Sequence, residues 1–313
     1  MMTTSARRRG AIAALAVSTV AGTLLLGWMA PASASTANDS MRPTATVPNI
    51  TVSAAETAWI HKMDHQMGSQ IRLHENAGSS GSAGSTGSAR PAGSTGSTVV
   101  MAPDVTQTPG LDVSGYQGNV DWSSVAADGA QFAYVKATEG TYYTNPDFAQ
   151  QYNGSYNAGI IRGSYHFATP NTTSGATQAD YFIAHGGGWS KDGKTLPGML
   201  DIEWNPYGAD CYGLSASAMV SWILSFSNEY HAKESVWPVI YTATSWWSEC
   251  TGNEGDFSSS NPLALANYNG SPGPMPYAWS FQTIWQWADS GTFPGDQDYF
   301  NGPYSGVQAI ANG

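Results

Sequence analysis

From Gly110 onward the chain alternates short apolar runs with longer stretches of helical period. Seven runs predict strands, at residues 110–114, 132–137, 160–167, 199–203, 238–242, 263–268 and 283–288. Stretches 122–128, 146–158, 175–185 and 215–231 carry the helical pattern. Asp121 stands before Trp122 as an N-cap. Asn145-Pro146 reads as a cap followed by proline in the first helical turn. Alternating β and α elements over about 200 residues predict a largely parallel sheet. Polar or aromatic residues close nearly every strand, as in Asp112-Val113-Ser114, Tyr165-His166-Phe167, Asp201-Ile202-Glu203 and Trp285-Gln286-Trp287. Functional groups gathered at strand C-termini are what a β/α barrel presents. A doubly wound sheet would concentrate them at one switch point, and no Gly-rich phosphate loop supports that arrangement. The expected fold class is therefore α/β, a barrel.

The first hundred residues follow different rules. Arg7, Arg8 and Arg9 precede an apolar run from Ala11 to Met29, and Ala32-Ser33-Ala34 is a small-residue cleavage site. Residues 1–34 thus read as a signal peptide rather than the alternative, an uncleaved membrane anchor, and the product as secreted, with no membrane association after cleavage. Removing them takes away three arginines and no acid, so the formal charge moves from −11 to −14. Residues 35–98 form an N-terminal extension. Trp59, Met63 and Met67 recur every four residues and predict a helix over 50–76. His61 and His65 share that spacing, but two histidines without a third ligand read as a solvated face, and no metal site or cofactor is expected. Residues 77–98 are a Gly/Ser/Thr-rich flexible linker, in which Gly-Ser-Thr-Gly-Ser occurs twice. The dense domain is expected over 99–313.

Composition narrows the partner. Twelve Trp and sixteen Tyr accompany only 11% charged residues, which suits an uncharged polymer such as a glycan, whose C–H faces stack on rings. The net negative charge argues against nucleic acid. Cys211 and Cys250 are an even pair in a secreted chain and predict a disulfide.

The strand exit Met199-Leu200-Asp201-Ile202-Glu203-Trp204 carries the chemistry. Side chains alternate along a strand, so Asp201 and Glu203 point to one side. The apolar neighbours argue for burial rather than a solvated strand end. Two buried acids this close repel, and one keeps its proton near neutral pH, as glycosidic bond cleavage requires. Asp112 ends the first strand, and Asp298 lies near the C-terminus. First and last barrel strands are neighbours, so both acids could meet beside the central pair. Tyr116, Tyr165, His166, Trp204, Tyr241, Tyr268, Trp285 and Trp287 are candidates to line a sugar groove, and Lys136 to partner a carboxylate. Neither His-Glu-x-x-His nor Gly-x-Ser-x-Gly occurs. A non-catalytic module binding peptidoglycan or chitin is the rival reading, though a binder has no need of clustered acids.

Six ordered motifs over residues 109–313 resemble glycoside hydrolase family 25, the Chalaropsis-type lysozymes. They are Gly110-Leu111-Asp112-Val113-Ser114-Gly115-Tyr116-Gln117, residues 132–140, Gly163-Ser164-Tyr165-His166-Phe167, Leu200-Asp201-Ile202-Glu203, Ile284-Trp285-Gln286-Trp287 and the later Asp298. The resemblance implies a modified β/α barrel acting as a monomer on bacterial peptidoglycan. It implies cleavage of the β-1,4 bond between N-acetylmuramic acid and N-acetylglucosamine. Glu203 takes the general acid's place, and Asp112, Asp201 and Asp298 take supporting acidic positions. The cysteine pair also looks like one found in secreted members. A pair of acids on one strand approaches the sugar from one side, which suits an acid with a helper and predicts substrate-assisted retention, with direct attack by a carboxylate as the alternative.

Overall fold

The computed structural model describes residues 64–77 and 106–313. The expected signal peptide, the polar stretch 35–49, the first part of the helix expected over 50–76 and the linker beyond Ala77 lie outside the described residues.

Eight strands close on themselves. In chain order they are β1 (Thr108–Val113), β2 (Phe132–Glu139), β4 (Ile161–Phe167), β5 (Met199–Asp201), β6 (Val239–Thr242), β7 (Leu263–Ala266), β8 (Ile284–Ala288) and β9 (Asp296–Phe300). A two-residue strand, β3 (Tyr143–Thr144), pairs antiparallel with the end of β2. Neighbours from β1 through β8 run parallel, while β9 runs antiparallel to both β8 and β1 and closes the barrel. The seven strands predicted from apolar runs are all present. β9 was not foreseen, because Asp296-Gln297-Asp298 gives it no apolar run.

The helices are α1 (Ile71–Ala77), α2 (Trp122–Ala127), α3 (Phe148–Asn157), α4 (Gly175–Phe182), α5 (Ala216–Glu234), α6 (Thr244–Thr251) and α7 (Tyr304–Ala311). Asp121 caps α2 through the Ser123 and Ser124 amides, as expected. Asn145 instead caps a turn, accepting from the Asp147 amide at 2.9 Å, and α3 begins only at Phe148. α5 turns Met219, Trp222, Ile223, Phe226 and Tyr230 inward, a stripe at helical spacing. α4 lies against it so closely that a Cβ on Gly175 would stand 2.3 Å from the Trp222 carbonyl oxygen. Tyr230 donates to the Gly187 carbonyl and accepts from the Gly198 amide, fixing the entry to β5. No described helix is long and apolar enough to cross a membrane.

Cys211 and Cys250 are joined, with Cα atoms 5.2 Å apart. The bond ties the loop after β5 to α6. A closed loop of this size is worth about 4 kcal/mol on the chain-entropy account. Replacing both cysteines with serine should lower the melting temperature by roughly 10 °C, measured by calorimetry. An unchanged melting temperature would show the cross-link to be dispensable.

The N-terminal segment departs from expectation. The helix foreseen over 50–76 is present, within the described residues, only from Ile71. Residues 64–66 are irregular and 67–70 are turns. Met67 and Ile71 are buried in the barrel's own core cluster. The segment therefore packs on the barrel rather than standing apart from it.

Candidate active site

The carboxylates converge at the C-terminal end of the parallel strands. Asp201 ends β5. Ile202 keeps the strand course by donating its amide to the Tyr241 carbonyl, and its side chain joins the hydrophobic core. Asp201 and Glu203, on either side of it, both feel the charges of Asp112 and Lys136 inside the barrel. Both acids are fully buried. Burial raises Glu203 to about 8 against the pull of the Gly68 and Gln70 amides. Asp201 is pushed well above the ordinary carboxylate range by burial and then by Glu203, with Lys136 opposing. Among the described residues, neither Asp201 oxygen nor Glu203 Oε2 has a hydrogen-bond partner.

Gln286 organises the opposite wall. Its Nε2 donates to Asp112 Oδ2 at 2.8 Å and to Asp296 Oδ2 at 3.2 Å. Its Oε1 accepts from Tyr241 Oη at 2.7 Å and Tyr268 Oη at 2.6 Å. Burial raises Asp112 to about 7 despite the Gln286 donor. Asp296 is raised well above its ordinary value by burial and by the Asp112 charge.

Lys136 does partner carboxylates. Its Nζ lies 2.7 Å from Glu139 and 3.1 Å from Asp64. Three residues apart on a regular strand would face opposite sides. An irregularity in the β2–β4 register between Lys136 and Thr138 brings Lys136 and Glu139 together. Burial alone would raise Glu139, but the Lys136 ammonium and donors from His65, Lys136 and Tyr207 hold it at about 2. Burial likewise would lower Lys136, and the two acids overturn that.

The structure separates the expected groove residues into three groups. Tyr165, Trp204, Tyr241 and Tyr268 border the carboxylate cleft. Tyr165 Oη takes the Met67 amide at 3.4 Å, Trp204 lies under His74, and the other two bind Gln286. Tyr116 sits in the capped turn after β1, 63% exposed. His166, Trp285 and Trp287 lie elsewhere. His166 is buried against Phe226 and held by Thr138 and Gln178, because the alternation that turns Tyr165 inward turns His166 toward the helices. The alternation that turns Gln286 inward puts both tryptophans on the outer face, where they share Tyr299.

The contact expected of Asp298 is made by Asp296. In the β1–β9 ladder Asp112 stands opposite Asp296, and Asp298 opposite Gly110, two residues deeper. Asp298 is buried and raised well above its ordinary value, by burial first and by Asp112 second. Sequence reasoning missed Asp296, Gln286 and Glu139. Asp296 shares its face with Asp298, so only the register decides between them. Gln286 could have been found as the inward position between two outward tryptophans. No cluster of His, Cys, Asp and Glu suited to a metal ion occurs among the described residues.

Residues 111–296 match the family model for glycosyl hydrolases family 25. The chain is 51% identical over 208 residues to the N,O-diacetylmuramidase of Chalaropsis sp, covering 65% of this chain and 99% of that protein. It is 47% identical over 214 residues to lysozyme M1 of Streptomyces globisporus, covering 67% and 73%. The solved bacterial lysozyme from Streptomyces coelicolor superimposes with a TM-score of 0.64 at 46% identity, over 67% of this chain and 99% of that one.

Proposed function

The chain belongs to glycosyl hydrolase family 25, and on that premise we propose that it is a secreted muramidase. It hydrolyses the β-1,4 bond from N-acetylmuramic acid to N-acetylglucosamine in bacterial peptidoglycan. The observation that carries this reading is the buried Asp201/Glu203 pair, with Glu203 raised to about 8. A proton held near neutral pH is what a leaving glycosidic oxygen needs. A binding module gains nothing from buried, mutually repelling acids, and no observation favours that alternative. The names of the relatives point to the same substrate.

Glu203 protonates the leaving oxygen. The substrate's own N-acetyl carbonyl attacks the anomeric carbon, and Asp201, ionised while the proton of the repelling pair sits on Glu203, receives the amide N–H and balances the charge that develops on that group. Asp201 suits the task because its oxygens have no donor among the described residues. Asp112, held by Gln286, is placed to polarise the incoming water, and Asp296 shares the same Gln286 amide. Tyr165, Trp204, Tyr241 and Tyr268 border the sugar path.

The function is tested on bacterial walls by turbidity and mass analysis of the released ends. New reducing muramic ends are expected. Reducing glucosamine ends or free stem peptides alone would overturn the bond assignment. Asp296→Asn should lower kcat at least tenfold more than Asp298→Asn, since only Asp296 shares Gln286 with Asp112. The reverse order would return the supporting role to Asp298.

A further inference from the structure

The cleft above the carboxylates is filled by the chain's own residues 64–74. The Gly68 amide donates to Glu203 Oε1 at 2.7 Å, on the carboxyl that must face the glycosidic oxygen. Gly68 has φ +76°, and a Cβ there would lie 2.3 Å from Tyr268 Oη, 2.5 Å from Gln286 Oε1 and 2.9 Å from Tyr241 Oη. Only glycine lets the backbone thread between the two walls. Upstream, Asp64 is buried against Lys136, and the His65 amide donates to Glu139 Oε2 at 3.3 Å. Downstream, Arg72 grips Asp289, with Nη2 to Oδ1 at 2.6 Å. The His74 ring lies flat on Trp204, 3.9 Å between centroids and 6° between planes, as a sugar face would. One peptide thus touches Lys136, Glu139, Tyr165, Glu203 and Trp204, while both Asp201 oxygens stay without a donor among the described residues.

We propose that residues 64–74 are an internal inhibitor, which keeps the full chain latent by lying where the glycan must lie. The proposal rests on the muramidase reading of the site. The segment is no part of the barrel's own closure. The Chalaropsis enzyme and the Streptomyces coelicolor lysozyme are each matched over 99% of their length, and those matches cover about two thirds of this chain, which holds the family match at 111–296. Yet its contacts are made to the acid, to the Lys136 ion pairs and to the aromatic walls rather than to a remote surface. Attachment through residues 78–105 makes the occupation intramolecular. Tethers of that length and Gly/Ser composition supply an effective concentration on the order of millimolar. Hydrolysis of one peptide bond in that connection by an external endopeptidase, consuming one water, converts the segment into a dilute competitor that the polymer displaces.

The test uses residues 35–313 with a recognition site for a sequence-specific endoprotease placed within 80–97. The intact protein should clear bacterial walls at least tenfold more slowly than the same protein cut and freed of its N-terminal piece. Gly68→Ala should release that activity without cutting, because its methyl group cannot enter between Tyr268 and Gln286. Amide exchange at Gly68 gives a readout independent of activity. It should be slowed at least a hundredfold in the intact chain. Equal wall clearance before and after cutting, or free exchange at Gly68, overturns the inhibitor. A chain inert in every form, yet protected at Gly68, leaves the occupied cleft standing and overturns the muramidase reading instead.

Discussion

Glu203→Gln should abolish turnover and make the protein more stable. General acid catalysis of this kind contributes about 10²–10⁴ in rate, and a poor leaving oxygen places the expected loss near the upper end. The substituted amide is close in shape to the carboxyl and its oxygen can still accept from Gly68, so the cleft should keep its form. The stability gain follows from the raised proton affinity. Glu203 titrates near 8 in the folded chain against 4.5 for an ordinary glutamate. A folded carboxyl that binds its proton more tightly than the unfolded one penalises folding as pH rises above the unfolded value. That penalty grows up to the folded value and is absent below pH 4.5. At pH 7 it amounts to at most about 3 kcal/mol, taking about 1.4 kcal/mol per unit. Glu203→Gln should therefore raise the melting temperature by several degrees at pH 7 and by almost nothing at pH 4. Calorimetry at the two pH values, beside kcat on soluble peptidoglycan, checks both halves. Near-normal kcat would remove Glu203 from the role of acid. A gain in stability independent of pH would show that something other than its proton is being relieved.

The same physics explains why the central pair was legible in the sequence and its surroundings were not. Asp201 and Glu203 sit two residues apart with a core isoleucine between them, so strand alternation alone places both on one side. Alternation tells which residues share a face but not which face looks into the barrel. His166 and the two tryptophans beside Gln286 were assigned to the groove for want of that second fact. The Lys136–Glu139 pair depends on a register irregularity that no side-chain pattern announces. β9 is written in polar residues, because its inner face carries acids rather than core, and Asp296 went unseen with it. α6 and α7 were also missed. The periodic residues before the linker gave a helix. The structure shows instead an irregular stretch around Gly68, where backbone amides serve the cleft in place of a helical ladder.

The fold puts functional groups in competition with stability, and the occupied cleft bears on that competition. Four buried acids, Asp112, Asp201, Glu203 and Asp296, share one barrel end, each pushed upward by burial. Lys136 is the cation whose attraction lowers both Asp201 and Glu203, and it is already shared between Glu139 and Asp64. Residues 64–74 add amide donors to this wall, and the Gly68 amide satisfies one Glu203 oxygen. A peptide that offers hydrogen bonds to the acid suits the cleft for the same reason a glycan with amide and hydroxyl groups does.

Asp201→Asn should separate assisted retention from direct attack by a carboxylate. The asparagine keeps an oxygen that accepts the acetamido N–H but lacks the charge that balances the cyclic cation formed as the carbonyl attacks. A loss of about 10²–10³ in kcat with little change in KM is expected, because the charge is needed in the transition state rather than in binding. If Asp201 were instead the nucleophile, Asp201→Gly, unlike the isosteric asparagine, would open space at the anomeric carbon for a small anion. Azide would then restore turnover and leave a glycosyl azide of inverted configuration. With assistance by the substrate's own amide, azide should restore nothing. Glycans bearing a free amine in place of the N-acetyl group should be cut no faster by the native enzyme than by Asp201→Asn. Mass spectrometry of the native enzyme quenched during turnover should find no sugar esterified to Asp201. A trapped ester or an azide product would replace the assisted route with a covalent one, while leaving Glu203 as the acid in either case.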